Sequence, residues 1–368
     1  MKIGIDCRLW NETGVGRYIR ALVSQLQKID HKNDYVLFLP KLEFNNITLS
    51  NQKWSKILAD VSWHSWEEQF KMPNIYKFSK ADLIHIPYFS VPIFIKQPYI
   101  VTIHDLTISH YATGKATTKP MPIYLIKRLA YNLILKQAVS KSNKILTVSN
   151  YVKNQLIREF NLNPRKVVVT YESGELEDKL IPEKASNLPT NYCLYVGNAH
   201  PHKNLEKLLY AFAKVRKELP GFKLFLIGKD DYFYTRLKKY AEKLQLTDGV
   251  FFINSISNSE LPNWYNKATL LVFPSLSEGF GIPGLEAMNC NCPVVASNIP
   301  VFKEIYGDAA VYFNPNSIDD MALKIIQLLK NKQLLLDLIE KGKIQAKKYS
   351  WEKTATETLK VYENSLSI

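Results

Sequence analysis

Short apolar runs alternate with stretches of helical spacing along most of this chain. Lys2–Asp6, Tyr35–Leu39, Asp82–Ile86, Tyr99–Ile103, Lys144–Val148 and Val167–Tyr171 read as strands. Helices are predicted over Gly16–Ile29, where Ile19, Leu22, Val23 and Leu26 share a face, and over Asn150–Phe160. A polar stretch from Ser173 to Thr190, with Gly174, Pro182 and Pro189, interrupts the pattern and reads as a linker. The alternation then resumes with strands at Tyr192–Val196, Lys223–Ile227, Val250–Ile253, Leu270–Phe273 and Val294–Ala296. Helices are predicted at Leu205–Glu218, Tyr234–Leu244, Ser317–Leu329 and Lys332–Tyr349, and the tail from Ser350 is amphipathic and helical. Two such series imply two doubly wound α/β domains, 1–172 and 191–349, joined by the linker 173–190. The last segment, 350–368, is expected to pack back on the first domain. Ligands of open α/β sheets bind beyond the carboxyl ends of the strands, and the main motifs of this chain fall at such ends.

The densest motif runs from Phe273 to Met288. Glu278 and Glu286 stand with seven residues between them, across a Gly279-Phe280-Gly281 loop. Pro283 suits the first turn of a helix, and Leu285-Glu286-Ala287-Met288 is a good helix-forming run. Free amides at a helix start hold anions, and a carboxylate accepts paired hydrogen bonds from vicinal hydroxyls. Together these devices suit a phosphate-linked sugar better than a metal or a flipped nucleotide. The plain alternative is a strand–loop–helix with two surface acids.

Three further motifs follow predicted strands. Gly14-Val15-Gly16-Arg17-Tyr18 opens a helix after the first strand, where glycines allow close backbone approach to a ligand; a plain helix start is the rival reading. It is not a dinucleotide fingerprint, which needs a third glycine where Ile19 stands. His104-Asp105 closes the strand Tyr99–Ile103, and His104 is either a donor to a sugar hydroxyl or a structural histidine. The segment Gly197-Asn198-Ala199-His200-Pro201-His202-Lys203-Asn204 follows the first strand of the second domain and sets a cation before a helix. A metal pair at His200 and His202 lacks companion ligands.

The stretch from Phe273 to Met288 resembles the E-x7-E signature of retaining GT-B glycosyltransferases, glycosyltransferase family 4, in its mannosyltransferase-like subgroup. The resemblance extends over nearly the whole chain, including Trp351. It implies two Rossmann-like domains with an interdomain cleft, and transfer of a sugar from a nucleotide diphosphate to an acceptor hydroxyl with retention. It implies no cofactor and no metal. Glu278 and His104 would be catalytic, and Glu286 would accept from the nucleotide ribose. Lys203, Asn198, His202, Gly16 and Arg17 would meet the donor diphosphate. The amides of Gly279, Phe280 and Gly281 would bind donor sugar and phosphate, with Gly14 in a loop near the acceptor. One departure stands out: Asn198 occupies the position where the family usually has a diphosphate-binding arginine. GDP-mannose is the leading donor, with UDP- and dTDP-sugars open. The acceptor would be a glycan or lipid-linked saccharide of cell-surface polysaccharide synthesis.

Charge adds one element. The net charge is +14, and residues 1–175 hold 24 Lys and Arg against 13 Asp and Glu. Such a half suits an anionic membrane face or a phosphorylated acceptor, or reflects a solvated lysine-rich surface. The basic, aromatic segment Pro122–Lys136 is either a helix lying on a leaflet or one packing on the sheet. Trp63–Gln69 is assigned to acceptor-side packing. No nucleic-acid motif accompanies the charge, so no nucleic-acid partner is expected. The four cysteines form no Cys-x-x-Cys pair, and Met1–Asp6 turns polar too soon for a secretory signal. A cytoplasmic enzyme, peripheral at the inner membrane surface, is the expectation. Rivals are another reaction on the same fold, a non-enzymatic binder, and a transferase that only binds sugar.

Overall fold

The computed structural model describes residues 1–49, 51–110, 121–176, 188–254 and 256–365. Of the predicted linker, residues 177–187 lie outside the described residues. The chain divides into two units, Met1–Glu172 with Trp351–Ile368, and Ser173–Ser350.

The first unit is built on β1 (Lys2–Asp6), β2 (Asp34–Leu39), β3 (Trp54–Leu58), β4 (Leu83–Ile86), β5 (Tyr99–Ile103), β6 (Lys144–Thr147) and β7 (Val167–Val169). They form one parallel sheet in the order β3-β2-β1-β4-β5-β6-β7. Helices cover the strands, so most are apolar on both faces; Ile3, Ile5, Leu37, Ile84 and Val101 are fully or almost fully buried. The order turns at β1 and β4, where chain connections leave in opposite directions and open a crevice at the strand ends.

The second unit repeats the plan with β8 (Tyr192–Val196), β9 (Lys223–Gly228), β10 (Val250–Asn254), β11 (Leu270–Phe273), β12 (Val294–Ser297) and β13 (Ala310–Phe313). Their order is β10-β9-β8-β11-β12-β13, again all parallel, with the turning point between β8 and β11.

The helix Trp351–Ser365 belongs to the first unit, where it packs along the helix Gly14–Ile29. Trp351 meets Tyr18 edge-on at 6.4 Å. The ring nitrogens of buried His85, on β4, hydrogen-bond the hydroxyls of Tyr362 and Thr102, each at 2.7 Å. Burial, with His104 nearby, pushes the His85 pKa down to about 3, so this histidine is neutral glue for the final helix.

Two strands, β3 and β13, are absent from the sequence reading. Both are sheet edges. In β3 the polar Ser55 and Lys56 break the apolar run, as a partly solvated edge allows.

Candidate functional site

The loops after β8 and β11 meet at the turning point of the second sheet. Pro201–Lys203 forms one turn of 3-10 helix, and Asn204 ends it in the left-handed conformation (φ 62°). The buried Asn204 amide donates to the carbonyls of Pro274 (3.1 Å) and Pro315 (2.9 Å). The Leu276 amide donates to the His202 carbonyl at 2.7 Å. Between loops joined in this way, Lys203 Nζ donates to Glu278 Oε1 at 2.6 Å, with both side chains 14% exposed. The ammonium also lies 5.9 Å from the centre of the Phe273 ring. A carboxylate and a cation therefore stand together, half-shielded from water, at the end of the strands. Beside them, burial and Lys203 outweigh Asp231 and hold the His200 pKa below the ordinary imidazole value.

Asn198 contributes mainly backbone: its carbonyl accepts from the Tyr195 hydroxyl at 2.7 Å, and its side-chain oxygen accepts from the His200 amide at 3.3 Å. Gly197 (φ +146°) and Gly228 let β8 and β9 end in contact, and the Gly197 carbonyl accepts from the Tyr234 hydroxyl at 2.8 Å. His202 is half-buried in the same turn.

The helix after the Gly279-Phe280-Gly281 loop runs Ile282–Asn289. Gly281 sits at its entry with φ +99°, and its carbonyl accepts from the buried Tyr306 hydroxyl at 2.6 Å. Gly284 in the first turn presses on the same Tyr306 ring, and Phe280 is buried edge-on to Tyr349 at 5.6 Å. Glu286 is buried, and its Oε2 accepts from the Tyr265 hydroxyl at 2.6 Å. The two glutamates thus differ: Glu278 faces a cation at the loop, whereas Glu286 is braced inside the fold. Gly174 backs the helix so closely that a Cβ there would lie 2.5 Å from Leu285 and 2.6 Å from the Glu286 amide nitrogen.

The family and the fold are shared with known proteins. The family described as glycosyl transferases group 1 matches residues 177–345, and that described as glycosyltransferase family 4 matches residues 13–172. The O-antigen chain mannosyltransferase RfbU of Salmonella typhimurium is 31% identical over 352 residues, spanning 92% of this chain and 93% of that protein. This chain belongs to glycosyltransferase family 4. Sucrose-phosphate synthase from Thermosynechococcus elongatus shares the fold of this glycosyltransferase with a TM-score of 0.81 at 19% identity, over 99% of this chain and 98% of that one. Anabaena Alr3699/HepE, solved in complex with UDP and glucose, gives 0.76 at 16% identity, over 99% and 100% of the two chains. The fold common to them is GT-B.

In the first unit of this family 4 glycosyltransferase, the helix after β1 begins at Gly14 rather than Gly16. Gly14 is open on all sides, whereas a Cβ at Gly16 would lie 2.5 Å from the Trp10 carbonyl oxygen and 2.6 Å from that of Leu9. Gly16 therefore lets the loop fold back over the helix start, with Arg17 half-buried beside it.

His104 uses both ring nitrogens inside the protein. Nδ1 faces Glu172 Oε1 at 3.0 Å, and Nε2 faces the Pro87 carbonyl at 3.1 Å. Two acceptors around the ring favour the imidazolium, which can donate to both. Burial would depress its pKa, but the hydrogen bond and charge of Glu172 outweigh burial and hold it above the ordinary value. The sequence reading named His104 and missed Glu172, which lies 68 residues away with no local pattern to mark it. A raised folded pKa adds stability that is complete below the unfolded value of about 6.5 and is lost as pH rises through the folded value. Glu172→Gln is expected to lower the His104 pKa in an NMR titration of its ring protons. It should also lower stability by about 1–2 kcal/mol near pH 6, a gap that closes at higher pH. An unmoved titration would remove the ion pair.

Among the described residues, no group of three or more His, Cys, Asp or Glu could hold a metal ion, and no helix is long and apolar enough to cross a membrane.

Proposed function

We propose that this glycosyltransferase moves mannose from GDP-mannose to a hydroxyl of a glycan or lipid-linked saccharide in cell-surface polysaccharide synthesis, with retention and without a metal. The Lys203–Glu278 pair at the turning point of the second sheet carries the reading. The name of its O-antigen mannosyltransferase relative supports the sugar and the pathway class. When the diphosphate departs, negative charge grows on its oxygens. Lys203, with the amides of Gly279, Phe280 and Gly281 and the loop of Asn198 and His202, would stabilise that charge in place of a divalent cation. Glu278 would hold hydroxyls of the transferred sugar and offset the positive charge on its ring. Glu286, held still by Tyr265, would accept from the ribose hydroxyls. Gly16 and Arg17 would meet the donor diphosphate and Gly14 would lie in the acceptor loop; the catalytic role assigned to His104 would require one ring nitrogen to leave Glu172 or Pro87 for the sugar.

A peripheral contact with an anionic leaflet is part of the proposal. The helix Met121–Lys141 has no acidic residue and carries Lys127, Arg128, Lys136 and Lys141. Its Leu125, Ile126, Leu129 and Leu133 are exposed, Ile126 by 69%.

Thermal unfolding with GDP-, UDP- and dTDP-sugars tests the donor. GDP-mannose at about 100 times its Kd should raise Tm by roughly 5 °C or more, because a ligand of the native state alone stabilises it. A shift with UDP-sugars alone would replace the donor, and no shift with any nucleotide would end the reading. Product analysis in EDTA should give a nucleotide diphosphate and an α-linked mannoside. An inverted product or a strict need for divalent cation would remove retention or metal independence.

A further inference from the structure

The loops after β1 and β4 enclose a second crevice, at the turning point of the first sheet. Asp6, Arg8 and Leu9 line it from one side and Pro87, Tyr88 and Ser90 from the other, with Trp63 and Glu68 closing it. It has room for about one water-sized group. Beneath it lies a buried ion network. Arg8 forks onto Asp6 (Nη2 to Oδ2, 2.7 Å) and reaches Glu68 Oε1, also at 2.7 Å. The other Glu68 oxygen accepts from the Ser90 hydroxyl (2.8 Å) and from the His64 amide (2.9 Å). His64 is held there with φ +59°, in the left-handed region that non-glycine residues enter uncommonly.

What this network fixes is an aromatic surface. Trp63, 39% exposed, lies against His64 at 4.3 Å and meets Tyr88 edge-on at 5.9 Å. Half-buried Tyr88 packs in turn on Phe89, and its hydroxyl has no hydrogen-bond partner among the described residues. Burial, with the charges of Asp105 and Glu12 adding to it, raises the pKa of that hydroxyl. A partly exposed indole with a phenol hydroxyl beside it and a water-sized crevice below matches a pyranose ring. Its apolar face can lie on the indole while its hydroxyls reach the phenol and the crevice.

We propose that Trp63 and Tyr88 form a binding platform for a neutral hexopyranose of the acceptor saccharide, with one sugar hydroxyl entering the crevice above Arg8 and Glu68. This rests on the glycosyltransferase reading but not on the donor's identity. Saturation-transfer NMR of the full chain with the methyl glycosides of mannose, glucose, galactose and N-acetylglucosamine tests it. At least one glycoside should bind with millimolar Kd, and Trp63→Ala and Tyr88→Phe should each weaken it about tenfold. Tyr88→Phe keeps the ring packing, so its melting curve should match the parent's, and nucleotide binding should be unchanged in both variants. No binding of any of the four glycosides, or undiminished affinity in either variant, overturns the platform. Loss of nucleotide binding in the parent chain would strike the donor proposal and leave this result standing.

Discussion

Replacing Glu278 by glutamine is expected to lower kcat by about a hundred- to a thousandfold, the usual effect of removing one group that stabilises charge in a transition state. Stability should fall as well, because the variant leaves Lys203 facing a neutral amide in a half-shielded site. Breaking a fully buried pair costs about 3–5 kcal/mol, and with part of the site open to water a loss of about 1–3 kcal/mol is expected here. Lys203→Met should act differently: it removes the cation proposed to meet the diphosphate, so donor affinity falls together with turnover. The double variant separates the two roles of the pair. With both charges gone, no unpaired ion remains, so stability should return towards the parent value while transfer stays lost. Denaturant unfolding and steady-state kinetics on the three variants check this. Transfer retained in the double variant would remove Glu278 and Lys203 from the chemistry.

The second large effect concerns the entry to the helix Ile282–Asn289. Gly281→Ala would force a side chain onto φ +99° and drive its Cβ into the Tyr306 hydroxyl, with Phe302 next nearest. Gly284→Ala would drive a Cβ into the Tyr306 ring itself. Each should destabilise the second unit by roughly 2–4 kcal/mol, through overpacking and, at Gly281, through backbone strain. Tyr306→Phe distinguishes them. Removing the hydroxyl clears the nearest collision for alanine at 281 but not for alanine at 284, so it should partly rescue only the first. The hydroxyl's own bond to the Gly281 carbonyl is worth about 1 kcal/mol, which bounds the rescue. Equal responses of both alanine variants to Tyr306→Phe would contradict this packing.

The strands are legible in the chain because covered parallel sheets turn them into continuous apolar runs, and the edges β3 and β13 are the ones that escape. Helix ends are less legible. Tyr232–Lys243 starts before its predicted Tyr234 because Asp231 caps it, accepting from the amides of Phe233 and Tyr234. In the site, the glycines and both glutamates stand out by local density. Their pairings do not: Lys203, named from its own motif, lies 75 residues from Glu278, and Tyr265 lies 21 from Glu286. One signal was within reach. A doubly wound order places the loops after its two central strands side by side, and Lys203 and Glu278 follow those two strands. The segment Trp63–Gln69 gave less away, since Glu68 reads as a surface acid until the sheet brings Arg8 against it.

The first unit is assembled from two stretches of chain, with all of Ser173–Ser350 inserted between them. During synthesis the ribosome delivers seven strands long before the helix that shields Tyr18 and completes the partners of His85. The early domain must therefore wait with that flank unsealed while its neighbour is made, and it reaches its mature state only once that neighbour has left the ribosome.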